Sequence, residues 1–525
     1  MRYKLKMKAN INKSLCIRQH HNGYSGSLSF FLTVFLLLSV IFPPLCAAAS
    51  EPQYHSFDEL SGKKVGMITG APFEELVRSR IPDVGEIQYF SSAPDMSVAL
   101  LNGRIDAYLM NNAVGSLIAN RNDGIELFPE SLGDTNFGIA FAKNSPERAK
   151  WQTAFDSIPQ DKRLMLWDKW TGADDSIKTI PEQSWQGANG TVKAAVCDTL
   201  EPMCYVGADG QLIGFDIEMI LLMAEKLDVH VEFTGMEFSS LMTEVDSGRA
   251  LLGAGSIVVT EEREKSVDFV NYAPASFVLM VRSESGDSQK TGFFEKLSGS
   301  FERTFITDNR WKMLLSGLGV TVITAAASGA LGTLIGFCLV FLRRRNNKAV
   351  NGLISVYSDL MSGIPAVVIL MVLYYVIFTK ADLPAEAVAI CGFSLIFGAR
   401  SFGVIQNAVN AVDSGQREAA LALGFTEART FREIILPQSR SIYFPILRTQ
   451  LVMLLKETSI AGYITVLDLT RAGDLIRSRT MEAFFPLLVT AAVYFILTNL
   501  ITKLFELIDI RHLAMRSRRR IKGVD

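Results

Sequence analysis

Apolar positions fall into two regimes along this chain of 525 residues. From Trp311 onward they form long blocks, at 311–342, about 353–378, about 385–404, about 443–466 and about 484–507. Each is near the ~20 residues that a helix needs to cross a hydrocarbon core, so five spans are expected. The first block is laced with Gly317, Gly319, Ala325, Gly329, Gly332 and Gly336, small residues that let spanning helices approach closely. Residues 51–285 instead alternate short apolar runs (Lys64–Ile68, Ile105–Leu109, Val192–Val196, Leu251–Gly255) with helical patterns, an α/β arrangement. Between the third and fourth blocks stands GQREAALALGFTEARTFREIILP, residues 415–437. Ala419, Ala420 and Leu423, then Phe431, Ile434 and Ile435, recur at helical spacing; Gly424 breaks the run and Pro437 stops it. The pattern predicts two short helices joined by a glycine bend, and alone it fits a connector lying on lipid headgroups.

Charge orients this pattern. Arg343, Arg344, Arg345 and Lys348 follow the first block, Arg417, Arg429, Arg432 and Arg440 follow the third, and Arg511, Arg516, Arg518, Arg519, Arg520 and Lys522 follow the fifth. With five spans all three basic segments fall on one side, the cytoplasmic one, and everything before Trp311 lies outside. The N-terminus agrees. Arg2, Lys4, Lys6, Lys8, Lys13 and Arg18 precede an apolar run from Leu28 to Leu45 and then Ala47-Ala48-Ala49-Ser50. This reads as a secretory signal or as a retained anchor helix.

Composition narrows the chemistry. A formal net charge of −2 argues against nucleic-acid binding. Cys16, Cys46, Cys197, Cys204, Cys338 and Cys391 form no CxxC or metal cluster. Cys197 and Cys204 flank a short turn and are either a disulfide or two thiols. The few histidines are scattered and form no catalytic constellation, so no enzymatic activity is expected. No G-x-x-x-x-G-K-[ST] is present. ATP hydrolysis by that route must come from a partner, and no cofactor is expected in this chain.

The stretch from Val412 to Gly424 and then Phe431 to Gln438 resembles the EAA loop of ABC-importer permeases, in the G-Q-x-E-A-A variant of the polar amino-acid subfamily. Lys456-Glu457-Thr458-Ser459 matches that subfamily's second element, and Ser362-Gly363-Ile364-Pro365 stands where it has R-G-T-P. The resemblance covers about Phe301–Ile510. It implies a helix that docks on an ATPase subunit through Glu418, Ala419, Ala420 and Gly424, an ATPase dimer as partner, and a second permease copy, as a homodimer or a paired permease. Near the end of the third span the family has a Tyr, a Glu and an Arg where this chain has Arg400, Gly403 and Gln406. Arg400 is a candidate functional charge at membrane depth or a snorkelling side chain. Lys456 and Glu457 share that depth.

Val192–Arg282 resembles the first lobe of a type II periplasmic binding protein: strand Val192–Val196, then Asp198, Gly214-Phe215-Asp216, Ser247-Gly248-Arg249, Thr260 to Arg263, and Val267-Asp268-Phe269. Residues 58–146 resemble that family's second lobe, and 147–171 its closing helices. The order implies one circularly permuted binding domain, or else a decayed tandem. By the resemblance Arg263 grips a ligand carboxylate, Phe238 covers the ligand, and Ser256, Thr260, Asp198 and Asn111 complete the site. Asn111 stands where the family has an acid, and Ala71-Pro72 where it has Thr.

The expected fold is therefore multi-domain: exported α/β binding lobes followed by an all-α five-span permease bundle. The expected layout is a signal or anchor at 1–50, a lobe-2-like segment with closing helices at 51–180, and a lobe-1-like segment at 186–285. A linker at 286–310, the membrane domain at 311–510 with its EAA loop at 412–440, and a basic cytoplasmic tail at 511–525 complete it. The expected function is an inner-membrane importer subunit with a fused receptor for a polar amino acid or small carboxylate. The rival is a solute-sensing receptor with a degenerate transport domain. A ligand-gated channel is disfavoured because no TVGYG-like filter is present.

Overall fold

The computed structural model describes residues 54–522 apart from 284–297, 481–483 and a few single positions. The basic leader, with Cys16 and Cys46, and the first part of the expected linker, 286–297, lie outside the described residues. Strands β1 (Lys64–Ile68), β2 (Glu86–Phe90) and β3 (Ala107–Asn111) alternate with helices α1 (Glu74–Arg80), α2 (Ala93–Leu101) and α3 (Asn112–Arg121). Polar side chains start two of these helices: Ser92 accepts the Asp95 amide before α2, and Asn111 accepts the Val114 amide before α3. β3 is buried at every position, as suits a strand covered on both faces.

A long strand, β4 (Ile125–Ala142), then leads to α4 (Glu147–Asp156) and α5 (Gln160–Thr171). The next segment holds β5 (Thr191–Cys197) and a small sheet of β6 (Thr199–Leu200), β7 (Cys204–Val206) and β8 (Leu212–Ile213). After these come α6 (Phe215–Leu227), β9 (His230–Met236), α7 (Leu241–Asp246), β10 (Leu252–Ala254), α8 (Glu261–Glu264) and a second long strand, β11 (Val267–Arg282). Cys197 and Cys204 are buried and unbridged.

The main sheet runs β2-β1-β3-β11-β4-β10-β5-β9. At its centre β4 and β11 pair antiparallel, from Val267 against Ala142 to Arg282 against Ile125. β3 joins the later half of β11, and β10 joins the later half of β4. The two sequence segments thus interleave as two lobes sharing a long ribbon. Helices α4 and α5 rest on α6 of the lobe built from the later segment. There Trp170 Nε1 and Lys169 Nζ donate to Glu218 Oε2 at 2.8 and 2.6 Å.

The remaining helices are α9 (Trp311–Arg343), α10 (Lys348–Gly363), α11 (Ala366–Val372), α12 (Ala385–Asn410), α13 (Ser414–Ala422), α14 (Glu427–Thr430), α15 (Leu436–Glu457), α16 (Leu469–Thr480) and α17 (Phe484–Lys522). The small residues of α9 do what their size allows. A Cβ on Gly332 would lie 2.9 Å from Phe397, and one on Gly336 would lie 2.7 Å from Ser401, so α9 and α12 nearly touch along their backbones.

Helices occupy all five expected blocks, but they are not alike. Among the described residues three helices are long and apolar enough to cross a membrane: α9, α12 and the Phe484–Leu507 part of α17. Lys348–Gly363 and Ala366–Ile377 qualify only as a pair, bent by 110°, where Pro365 disfavours helical geometry in the residue before it. The expected span at 443–466 is α15 to Glu457 and then a 3-10 turn, Thr458–Ile464. Arg448, Lys456 and Glu457 lower its apolarity. The last helix runs on to Lys522, through the stretch expected as a tail.

Candidate functional site: a cleft, its charged mouth and a bare helix

Parallel strands present ligands at their carboxyl ends, where helix starts and loops converge. In both lobes those ends meet. Beyond β1 lie Gly70 and Ala71, at the end of β3 lies Asn111, beyond β5 lies Asp198, beyond β9 lie Glu237 and Phe238, and beyond β10 lies Ser256. A cavity of about 50 Å³ sits between them, lined by Asn111, Phe238, Ser256 and Leu200 together with Met67, Phe73, Met110, Val258 and Phe277. The structure therefore brings together Asn111, Phe238 and Ser256. Thr260 and Asp198 do not line the cavity. Thr260 caps α8 by accepting the Arg263 amide.

Arg263 bridges the two lobes. Its guanidinium donates to the Val258 carbonyl at 3.0 Å and to the Gly70 carbonyl at 3.2 Å, and lies 5.4 Å from the Phe238 ring centroid. Burial pushes its pKa down to about 10, so it stays cationic at neutral pH. Behind the cavity Asp216 accepts the Tyr272 hydroxyl at 2.6 Å and the Ser256 amide at 3.0 Å. Burial pushes its carboxyl up to about 6, against those bonds. The Ser256 backbone stands at φ +53°, which sets its amide toward Asp216. The cleft as a whole is small, mostly apolar and tied shut by a guanidinium.

The mouth is charged, and the other half of each pair comes from the helical bundle. Asp198 Oδ1 accepts Arg471 Nη2 of α16 at 2.5 Å, and Glu237 pairs with the same guanidinium at 3.6 Å. Across the cleft Asp95, in the first turn of α2, pairs with Arg477 at 2.6 Å; Asp474 supports Arg477 at 2.9 Å. A third contact ties down the lobe that holds Asp198. Arg249 donates to the carbonyls of Tyr374 and Phe378, stacks 3.6 Å from the Tyr374 ring centroid and pairs with Glu244. The bundle fixes α16 in turn. Asp468 accepts the Arg471 and Thr470 amides, and Thr321 of α9 accepts the Leu469 amide.

At another place in the bundle α13 ends in a Schellman-type turn. The Phe425 amide reaches the Ala420 carbonyl and the Gly424 amide reaches the Leu421 carbonyl. Gly424 stands at φ +84°, which is why glycine occupies it. Ala420 is buried, whereas Glu418, Ala419 and Leu423 are exposed. Arg344, at the end of α9, stacks 3.8 Å from the Phe431 ring and bonds the Glu427 carbonyl, which seats the α13–α14 hairpin.

The family described as "Binding-protein-dependent transport system inner membrane component" matches residues 313–511. A protein of Rickettsia conorii named "Putative glutamine transport system permease protein" is 33% identical over 201 residues, 37% of this chain and 91% of its own length. A Bacillus subtilis protein named "Probable amino-acid ABC transporter permease protein" is 31% identical over 36% of this chain and 83% of its own. A solved chain described as "Crystal structure of an amino acid ABC transporter with histidines" is 28% identical, covers 42% of this chain and 100% of its own, and superposes with a TM-score of 0.37. The chain belongs to the family of binding-protein-dependent transport permeases. These relatives are named as permeases, not as enzymes.

Within the permease part Arg400 of α12 pairs with Glu457 at the end of α15 at 2.7 Å, both partly buried. Two of the three polar residues expected at membrane depth thus meet, and Lys456 faces outward. The sequence reading missed Arg471, Arg477, Glu237 and Asp95. A signal for them existed. Arg471, Arg477 and Arg479 lie in the loop that five-span topology puts outside, against the positive-inside trend. Arginines placed there need acidic partners, and the two lobes supply them for Arg471 and Arg477.

Proposed function

We propose that this permease is an importer subunit with its own receptor: the two lobes form one circularly permuted solute-binding domain on the outer side, and the α13 hairpin faces the cytoplasm to dock a separate ATPase dimer. A polar amino acid or related small carboxylate is the proposed cargo, and a second copy completes the transport unit. Arg263, Phe238, Ser256 and Asn111 are the proposed ligand contacts. The observation that carries the reading is the joining, in one chain, of a permease bundle bearing an exposed Glu418-Ala419 helix face to a two-lobed sheet whose carboxyl ends meet at a cleft. Small side chains on that helix permit close insertion into a groove, and the neighbouring charges fix its orientation.

The test is uptake. Proteoliposomes holding the chain and an amino-acid-type ATPase should accumulate one member of an amino-acid panel when ATP is supplied. Ala419→Arg, a bulky change on an exposed helical position, should lower uptake at least tenfold and leave solute binding unchanged. Uptake at the original rate removes the docking assignment. A second reading, a solute sensor with a degenerate transport path, is favoured by the small, tied cleft. It expects binding with no ATP-driven uptake for any ATPase supplied.

A further inference from the structure

The mouth of the cleft is already occupied, and by a side chain of the permease. Asp198 directly follows β5 and Glu237 directly follows β9, the positions where an α/β sheet offers side chains to a ligand. Their sequence neighbours Leu200 and Phe238 line the cavity itself. The guanidinium seated on them comes from Arg471, and both Arg471 and Asp198 are more than nine-tenths buried. Six residues along the same helix, about 9 Å at 1.5 Å per residue, Arg477 holds Asp95 of the opposite lobe. One helix therefore pins both lobes. A plain packing contact would not need buried charge, since replacing such a pair by apolar side chains is often neutral or stabilising. A guanidinium that a ligand must be able to displace does need it.

We propose that α16 is a tethered occupant of the binding cleft, with Arg471 standing where the cationic group of a solute would sit. A solute bearing a guanidinium or primary ammonium competes with Arg471 for Asp198 and Glu237, and its arrival frees the lobes from the bundle. This rests on the reading of the two lobes as one solute-binding domain. It adds the class of solute group accepted at the mouth and a reason why an outer loop of the permease carries arginines.

Calorimetry on the full chain in nanodiscs tests it, with agmatine, which has a guanidinium and an ammonium but no carboxylate, as the probe. Arg471→Gln should bind agmatine at least tenfold more tightly than the original chain. Asp198→Asn combined with Arg471→Gln makes the pair neutral and should lose that gain. Arg471→Lys keeps the buried charge paired, so it guards against a variant that fails to fold; its looser hold on two carboxylates should raise agmatine affinity by a smaller factor, about threefold. Equal affinity in the original chain and both single variants overturns the proposal, as does a gain that survives in the double variant. Uptake is read separately. Tighter agmatine binding without ATP-driven uptake of any amino acid counts against the importer reading alone. Uptake without tighter agmatine binding counts against the tethered occupant alone.

Discussion

Two polar helices interrupt the apolar bundle, and they end in opposite circumstances. Both are short and carry arginines. α13 buries Ala420 against the chain and leaves Glu418, Ala419 and Leu423 in the open, Leu423 at 79% exposure. α16 buries Leu469, Ala472 and Ile476 against the bundle, and its Arg471 is buried against the lobes. An apolar leucine left open beside an alanine is an unfilled contact; a guanidinium buried on two carboxylates is a filled one. The two helices differ less in composition than in whether another part of this chain covers them.

The largest expected effect comes from stripping the filled contact. Asp198→Ala leaves Arg471 buried without its nearest carboxylate, and breaking a buried pair from one side costs about 3–5 kcal/mol. Thermal or denaturant unfolding of the full chain measures this, and a loss under about 1 kcal/mol would erase the distinction between the two helices. Acidity separates the same two regions by sign. In the lobe that holds Asp198, burial lifts the Asp216 carboxyl to about 6. A carboxyl raised in the folded state contributes stability at low pH that is lost as pH climbs through the folded value. The lobe should therefore weaken between about pH 4 and 6, by about 3 kcal/mol in total, and Asp216→Asn should flatten that slope. Beside α13 the sign reverses, because the bond from Arg417 holds the exposed Glu427 carboxyl below its ordinary value, so what little it adds fades as pH falls. Stability of the lobe that rose with pH across this window would contradict the account of Asp216.

The sequence was legible where one local rule decides the outcome. Gly424 and Pro437 punctuate the α13 hairpin, and Gly332 and Gly336 mark the α9–α12 contact. Alternating short apolar runs and helical patterns likewise predict the α/β arrangement. It was less legible where distant segments decide. Residues 443–466 looked like another span by length, but Arg448, Lys456 and Glu457 make α15 a mixed helix whose Glu457 finds Arg400. Asp198 is expected in the site by resemblance; the structure puts it after β5, outside the cavity lining. What occupies it could not be read, because Arg471 is 273 positions away. Arg263 likewise stands by the cleft, holding two backbone carbonyls.

The smallest expected effect sharpens the comparison from the other side. Arg417 of α13 pairs with Glu427, and the two side chains are 58% and 49% exposed. Water screens such a pair, and holding two long side chains in one geometry opposes it, so an exposed pair adds little to stability. Arg417→Ala should accordingly leave the unfolding transition almost where it is, in a measurement run beside Asp198→Ala. Its effect should fall elsewhere, on ATP-driven uptake, because Arg417 adjoins Glu418 on the open face. A loss of several kcal/mol with unchanged uptake would mean that the hairpin is built into the bundle as firmly as α16 is. The bare face would then be a structural wall, and the site of partner contact would have to be sought on another exposed surface.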